Sequence, residues 1–275
     1  MHIQWYPGHM TKAVRMMEEN EKLVDALIYV LDARAYRACF NPSFDKISKK
    51  PRLYVLNKVD TVEKSQVDRI ISEMRSRGML VVQSNSISGK FSNQVKEGLY
   101  SLLNGVIEKY KNKGVNKTVR AMVIGVPNSG KSTLINSLCA KKRAEAQNKP
   151  GVTRGKQWIR LTENVELLDT PGTLWPSFED QDLARHLAYI GCIRDDILDV
   201  EELACELIKE LKEKGLYDFA KELGADDTLT SYELLGLYGK KRGFLVKGGE
   251  GDTEKAAKGV LDAFRKQKLG KICLE

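Results

Sequence analysis

An apolar run at residues 119–124 ends on Gly125-Val126-Pro127-Asn128-Ser129-Gly130-Lys131-Ser132, and helical spacing begins directly after it. This is the most constraining stretch of the chain, because the pattern G-x-x-x-x-G-K-[ST] works only between a strand and a helix. Its glycines let the backbone bend until successive N–H groups converge on a phosphate chain, and the helix start adds its positive end. Lys131 would then reach the β- and γ-phosphates, and the Ser132 hydroxyl would ligate magnesium. An accidental match in this context is improbable, but the motif alone does not separate GTP from ATP.

Asn57-Lys58-Val59-Asp60 makes that separation, since it follows a second apolar run at 52–56 as N-K-x-D must to reach a bound base. A carboxylate at Asp60 can accept two hydrogen bonds from N1 and N2 of guanine, which adenine cannot supply. Asn57 would hold the base edge and tie it to the phosphate loop, with the stem of Lys58 packed on the ring. Taken alone, four common residues are better read as a helix start. Ser84-Asn85-Ser86, after the run 79–83, is a weaker element in which a backbone amide would meet the guanine O6. Asp169-Thr170-Pro171-Gly172 fits D-x-x-G at the end of the run 165–168, with Asp169 holding magnesium through water and the Gly172 amide facing the γ-phosphate. Thr153 lies 22 residues beyond Lys131, a suitable distance for a loop threonine that closes on magnesium and the γ-phosphate. Singly, these read as a capped helix start and a turn; together they read as two switches.

Apolar, β-branched runs at 26–31, 52–56, 79–83, 119–124, 158–161 and 165–168 predict six strands. Amphipathic segments at 41–49, 63–77, 93–113 and 131–139 alternate with them, which predicts an α/β fold: a mostly parallel six-stranded sheet with ligands at the carboxyl ends of its strands. Beyond Trp175-Pro176 only helical spacing remains, at 183–188, 200–214, 216–223, 230–237 and 253–268. The expected division is a nucleotide-binding domain over 1–177 and a small all-helical domain over 178–275.

Charge is unevenly placed within a net +8. Residues 140–160 carry seven Lys or Arg against one acid, and 239–275 carry ten against five, whereas 195–233 hold thirteen acids against four lysines. Such runs are usually solvated faces. Here the first basic run coincides with a nucleotide switch, which favours RNA as a partner. Five scattered cysteines without a C-x-x-C pair read as thiols in a reducing cytoplasm, and the sequence lacks both a long apolar span and a secretory start.

The order of the motifs is unusual. Guanine recognition (57–60, 84–86) precedes the phosphate loop (125–132) and the switches (153, 169–172), whereas in ordinary GTPases the phosphate loop comes first. Permutation keeps the sheet but puts a chain break after the second switch, where the helical domain begins. This order, with Trp5-Tyr6-Pro7-Gly8-His9-Met10, Asp32-Ala33-Arg34 followed by Asn41-Pro42, and Gly270-Lys271-Ile272-Cys273-Leu274-Glu275, closely resembles the bacterial ribosome biogenesis GTPase A family, the YlqF type, over essentially the whole chain. The resemblance implies a circularly permuted P-loop GTPase domain, GTP hydrolysis late in maturation of the large ribosomal subunit, and a helical domain that contacts ribosomal RNA. It assigns Asn57, Lys58 and Asp60 to guanine, Gly125 to Thr133 (with Pro127, Asn128, Ser129, Gly130, Lys131 and Ser132) to phosphates, and Thr153 and Asp169 to Gly172 to the switches. Asn128 falls at the position associated with potassium in cation-dependent GTPases. His9 is the candidate for the attacking water by resemblance, because Thr173 stands where many GTPases carry glutamine and is too short for that task. Expected partners are the large subunit and its RNA, with no membrane and a monomeric chain. Competing readings are a permuted GTPase of the small subunit, a P-loop metabolite kinase, which Asn57 to Asp60 argue against, and a binding module with incidental hydrolysis.

Overall fold

The computed structural model describes residues 2–4, 8–146 and 158–275. It divides into two compact units, Tyr6–Ser177 with Glu275, and Phe178–Leu274 with Met1–Trp5. Residues 2–4 thus run with the helical unit rather than the nucleotide domain, because the backbone N–H of Ile3 donates to Gln181 Oε1 at 2.7 Å and Ile3 is buried.

The larger unit holds one sheet of β1 (Ala26–Asp32), β2 (Arg52–Asn57), β3 (Leu80–Gln83), β4 (Val119–Ile124), β5 (Trp158–Thr162) and β6 (Val165–Asp169). Its strand order is β3-β2-β1-β4-β6-β5, parallel except for β5, which pairs antiparallel with β6. All seven residues of β1 are buried, as a central strand covered on both faces requires. Alternate residues Ala26, Ile28 and Val30 join Leu53, Val55, Ala121, Val123 and Leu167 in one core, closed by Val95, Leu99 and Leu103 of α4 (Ser92–Lys111) and Leu134, Ile135 and Leu138 of α5 (Lys131–Ala146). On the alternate positions Tyr29 packs among Phe40, Phe44 and Tyr54. Leaving β1 the chain proceeds outward through β2 to β3; leaving β4 it proceeds the opposite way, to β5 at the far edge and back to β6 beside β4. The strand order therefore reverses between β1 and β4, and a crevice for ligand opens above their carboxyl ends.

One helix is missing from the sequence-based expectation: α1 (Gly8–Glu21), whose residues Met10, Ala13, Met17 and Asn20 are buried at helical spacing. Its polar content and single buried asparagine mask the stripe. The remaining helices of this unit are α2 (Ser43–Ile47) and α3 (Lys64–Ser76).

In the smaller unit α7 (Val200–Glu213), α9 (Ser231–Lys241) and α10 (Thr253–Arg265) pack on one another, flanked by α6 (Gln181–Tyr189) and α8 (Phe219–Leu223). Part of the acidic run is local helix chemistry. Asp199 and Asp218 within it, like Asp180 and Asp252 on either side of it, each cap a helix by accepting from its first free N–H groups, and Thr230 forms a reciprocal capping box with Glu233. Arg265 closes the other end of α6 by donating to the carbonyls of Ala188 and Tyr189 while pairing with Asp195. Among the described residues no helix is long and apolar enough to cross a membrane.

Candidate nucleotide site

The loops that carry the motifs converge at the carboxyl ends of β1, β2, β3, β4 and β6. Asn57 ends β2 and is almost wholly buried. Its Nδ2 donates to the Ser129 carbonyl at 2.9 Å, while its Oδ1 accepts from the Ser86 hydroxyl at 2.7 Å and the Ser86 N–H at 3.2 Å. One side chain thus fastens the phosphate loop to the loop after β3. Ser84 sits beneath, its N–H on the Leu56 carbonyl, its carbonyl accepting from Val59, and its hydroxyl 3.3 Å from that of Ser86. Asn85 takes no part in that link; its side chain accepts from the Ser88 N–H instead.

Lys58 adopts a left-handed conformation at φ 58°. Its Nζ reaches Asp32 Oδ2 and the Asn128 carbonyl, both at 2.7 Å, so its charge is held and its stem lies along the site. Asp32 is fully buried and also accepts from Arg34, through the backbone N–H, Nε and Nη2. Burial pushes the Asp32 carboxyl up, but the charges and hydrogen bonds of Lys58 and Arg34 overcome it and hold the group well below the usual carboxylate range. The sequence marked Asp32-Ala33-Arg34 only as a family sign. A lone carboxylate ending an apolar central strand was the available signal of its role in anchoring Lys58. Asp60 differs: it is exposed in the short turn after Lys58 and its carboxylate makes no hydrogen bond among the described residues, so both oxygens can meet a base.

In the phosphate loop, Lys131 is buried and its Nζ donates to the carbonyls of Gly125 and Val126 at 3.1 and 2.9 Å. Ser129 folds its hydroxyl back on Val126, and Pro127 forms the wall nearest Gly172. Asn128, at φ 57°, stands exposed at the crest, and Thr133 is exposed in the first turn of α5. Gly130 has φ 96°, and a Cβ there would lie 2.3 Å from Asn57 Nδ2. Gly130→Ala should therefore strain the backbone and break the Asn57 link together, with a loss of about 2–3 kcal/mol. Chemical denaturation of the nucleotide-free chain measures it; a loss below a few tenths of a kcal/mol would contradict the packing described.

Ser132 Oγ donates to Asp169 Oδ2 at 2.7 Å, while Asp169 Oδ1 is buried with no hydrogen-bond partner among the described residues. A serine hydroxyl beside a carboxylate with an orphaned oxygen is a hard oxygen donor set that fits magnesium. Gly172 presses on the phosphate loop so closely that a Cβ would come within 2.5 Å of Pro127. Thr173 is fully buried, its N–H on the Gly125 carbonyl and its hydroxyl without a hydrogen-bond partner among the described residues. His9 belongs to the first turn of α1. Its side chain, the side chains of Lys141, Lys142 and Arg143, and the whole of residues 147–157, with Lys149, Thr153, Arg154 and Lys156, lie outside what the structure describes.

A Gly-rich loop and helix start, two carboxylate-bearing elements and a guanine-type N-K-x-D meeting at a strand reversal define a P-loop GTPase with permuted order. The family model described as "50S ribosome-binding GTPase" matches residues 120–223, from β4 through the switches into the helical unit. A ribosome biogenesis GTPase A from Bacillus cereus is 38% identical over 100% of this chain and 94% of its own length. Another from Thermotoga maritima is 30% identical over 99% and 94%. Among solved structures, GDP-bound YlqF has a TM-score of 0.70 with 26% identity, over 95% of this chain and 98% of that one, and the GNP-bound form from T. maritima also gives 0.70. The chain belongs to the ribosome biogenesis GTPase A family, and it is a GTPase that binds GTP and GDP.

Proposed function

We propose that the chain uses GTP to take part in late assembly of the large ribosomal subunit, docking with GTP bound and leaving after hydrolysis. The observation that carries the nucleotide half of this reading is Asn57, hydrogen-bonded at once to Ser129 in the phosphate loop and Ser86 in the base loop, with the exposed carboxylate of Asp60 beside it. Asp60 reads guanine, Lys131 and the loop amides hold the phosphates, and Ser132 and Asp169 hold magnesium, which would offset the charge building on the leaving phosphate. By resemblance, Thr153 and Gly172 sense the γ-phosphate, His9 approaches the water, and Asn128 contributes an amide oxygen to potassium. The workplace of such a factor is the cytoplasm, where ribosomes assemble.

The partner half rests on the family and on charge. Much of the basic carboxyl-terminal run is engaged within its own unit: Lys240 pairs with Glu250, Lys241 donates to the Glu222 carbonyl, and Lys255 and Lys258 pair with Asp252 and Glu254. Arg242, stacked over Tyr238, and exposed Lys247 are better placed to meet RNA phosphates. Cosedimentation with separated ribosomal subunits should show tighter association with the large subunit in a GTP analogue than in GDP, weakening steeply with salt. Arg242→Ala with Lys247→Ala should lower affinity and the salt slope by about two. Preference for the small subunit, or indifference to nucleotide, would overturn this reading.

A further inference from the structure

The loop between β1 and α2 ends on Asn41, a side chain that the nucleotide motifs leave without a task. Asn41 is 3% exposed, and its Nδ2 donates to the Thr173 carbonyl at 3.2 Å, across 132 residues of sequence. Its own place is fixed: Oδ1 accepts from the Ser43 N–H at 2.9 Å, and its backbone N–H donates to the hydroxyl of Tyr29, which in turn donates to the Cys39 carbonyl. Tyr29 belongs to the central strand and is wedged among three aromatic rings. Asn41 is therefore an extension of the sheet.

Thr173 directly follows Gly172. Its N–H donates to the Gly125 carbonyl at 3.3 Å, so two consecutive peptide groups are held, one by the phosphate loop and the next by Asn41. Of the two tethers, the first ends on a loop that must itself rearrange. Gly125 and Val126 carbonyls accept from Lys131, and binding a phosphate chain exchanges them for phosphate oxygens. The second tether ends on the sheet and has no reason to move. We infer that Asn41 is a positioning residue for the second switch: it fixes the Thr173–Leu174 peptide so that motion driven by the γ-phosphate is confined to Asp169 through Gly172, and the Gly172 N–H is returned to the phosphate. This rests on the reading of Gly172 as the γ-phosphate sensor. Leu174 is fully buried, in keeping with a fixed point immediately after a moving one.

The test combines a variant with a measurement on the unaltered chain. Asn41→Asp keeps size and the acceptor for Ser43 but removes the donor, leaving the Thr173 carbonyl buried and unpaired. The expected result is about a tenfold fall in affinity for a nonhydrolysable GTP analogue, with GDP affinity within about twofold and a lower kcat for hydrolysis, since only the triphosphate uses the switch. An equal loss for both nucleotides, as a merely structural role would give, or no loss for either, overturns the inference. Amide hydrogen exchange on the native chain decides the matter independently of whether the variant folds. Leu174 should exchange slowly and alike in GDP and the GTP analogue, while Gly172 slows in the analogue. Leu174 exchanging as fast as Gly172 in GDP overturns the role of Asn41. A Gly172 amide indifferent to the γ-phosphate overturns the switch reading instead, so the two failures are distinguishable.

Discussion

Lys131→Ala should lower affinity for both GDP and GTP by about a hundredfold or more while the fold survives. The ammonium group would make charge-assisted hydrogen bonds to two phosphates in a site walled by backbone, where each is worth about 1.5–3 kcal/mol. The fold survives because the carbonyls that Lys131 now meets keep other donors: Thr173 N–H remains on Gly125, and the Ser129 N–H and hydroxyl remain on Val126. Titration with a fluorescent GDP gives the affinity, and circular dichroism with thermal melting reports the fold. Tight residual binding would mean that the phosphates lie elsewhere.

Asp60→Asn should exchange base preference, weakening GTP by about two to three orders of magnitude and favouring xanthosine triphosphate. The carboxylate accepts two N–H bonds from guanine; an amide presents one acceptor and one donor, which matches the carbonyl that xanthine carries in place of the amino group. Because Asp60 is exposed and makes no internal hydrogen bond among the described residues, the change should leave the melting temperature of the nucleotide-free chain unaltered. Competition among GTP, ATP and XTP measures the exchange. Equal affinity of the unmodified chain for GTP and ATP would remove guanine from the account.

The sheet was legible because its strands are short apolar runs set off by turn residues, and strand ends predicted from sequence differ from those observed by a residue. The antiparallel pairing of β5 was not, since Trp158, Ile159 and Leu161 carry no mark of direction. Helix α1 escaped because Met10, Ala13 and Met17 make too thin a stripe, completed by a buried asparagine that reads as polar. In the site, single-residue chemistry was readable: a lysine after glycines, an aspartate after N-K. What joins the loops was readable only in part: the N-K-x-D pattern gave Asn57 its tie to the phosphate loop, whereas Ser86 on Asn57, Asp32 on Lys58 and Asn41 on a carbonyl are contacts between distant segments that local spacing cannot encode.

The strand reversal between β1 and β4 also has a consequence for how the chain is made. During synthesis β1, β2 and β3 emerge together, with α3 to cover them, and can pair in parallel at once. Yet β1, destined for the middle of the sheet, has its other edge bare until β4 appears, since Ala26 must wait for Ala121. For that interval the nascent chain presents an unpaired strand of seven residues with no charge before Asp32, the kind of edge that recruits strands from other chains. Permutation thus turns the last-made half of the domain, which holds the phosphate loop, into the cover that ends this exposure, and it makes early termination of translation before residue 119 a source of aggregating fragments rather than of a folded half-domain.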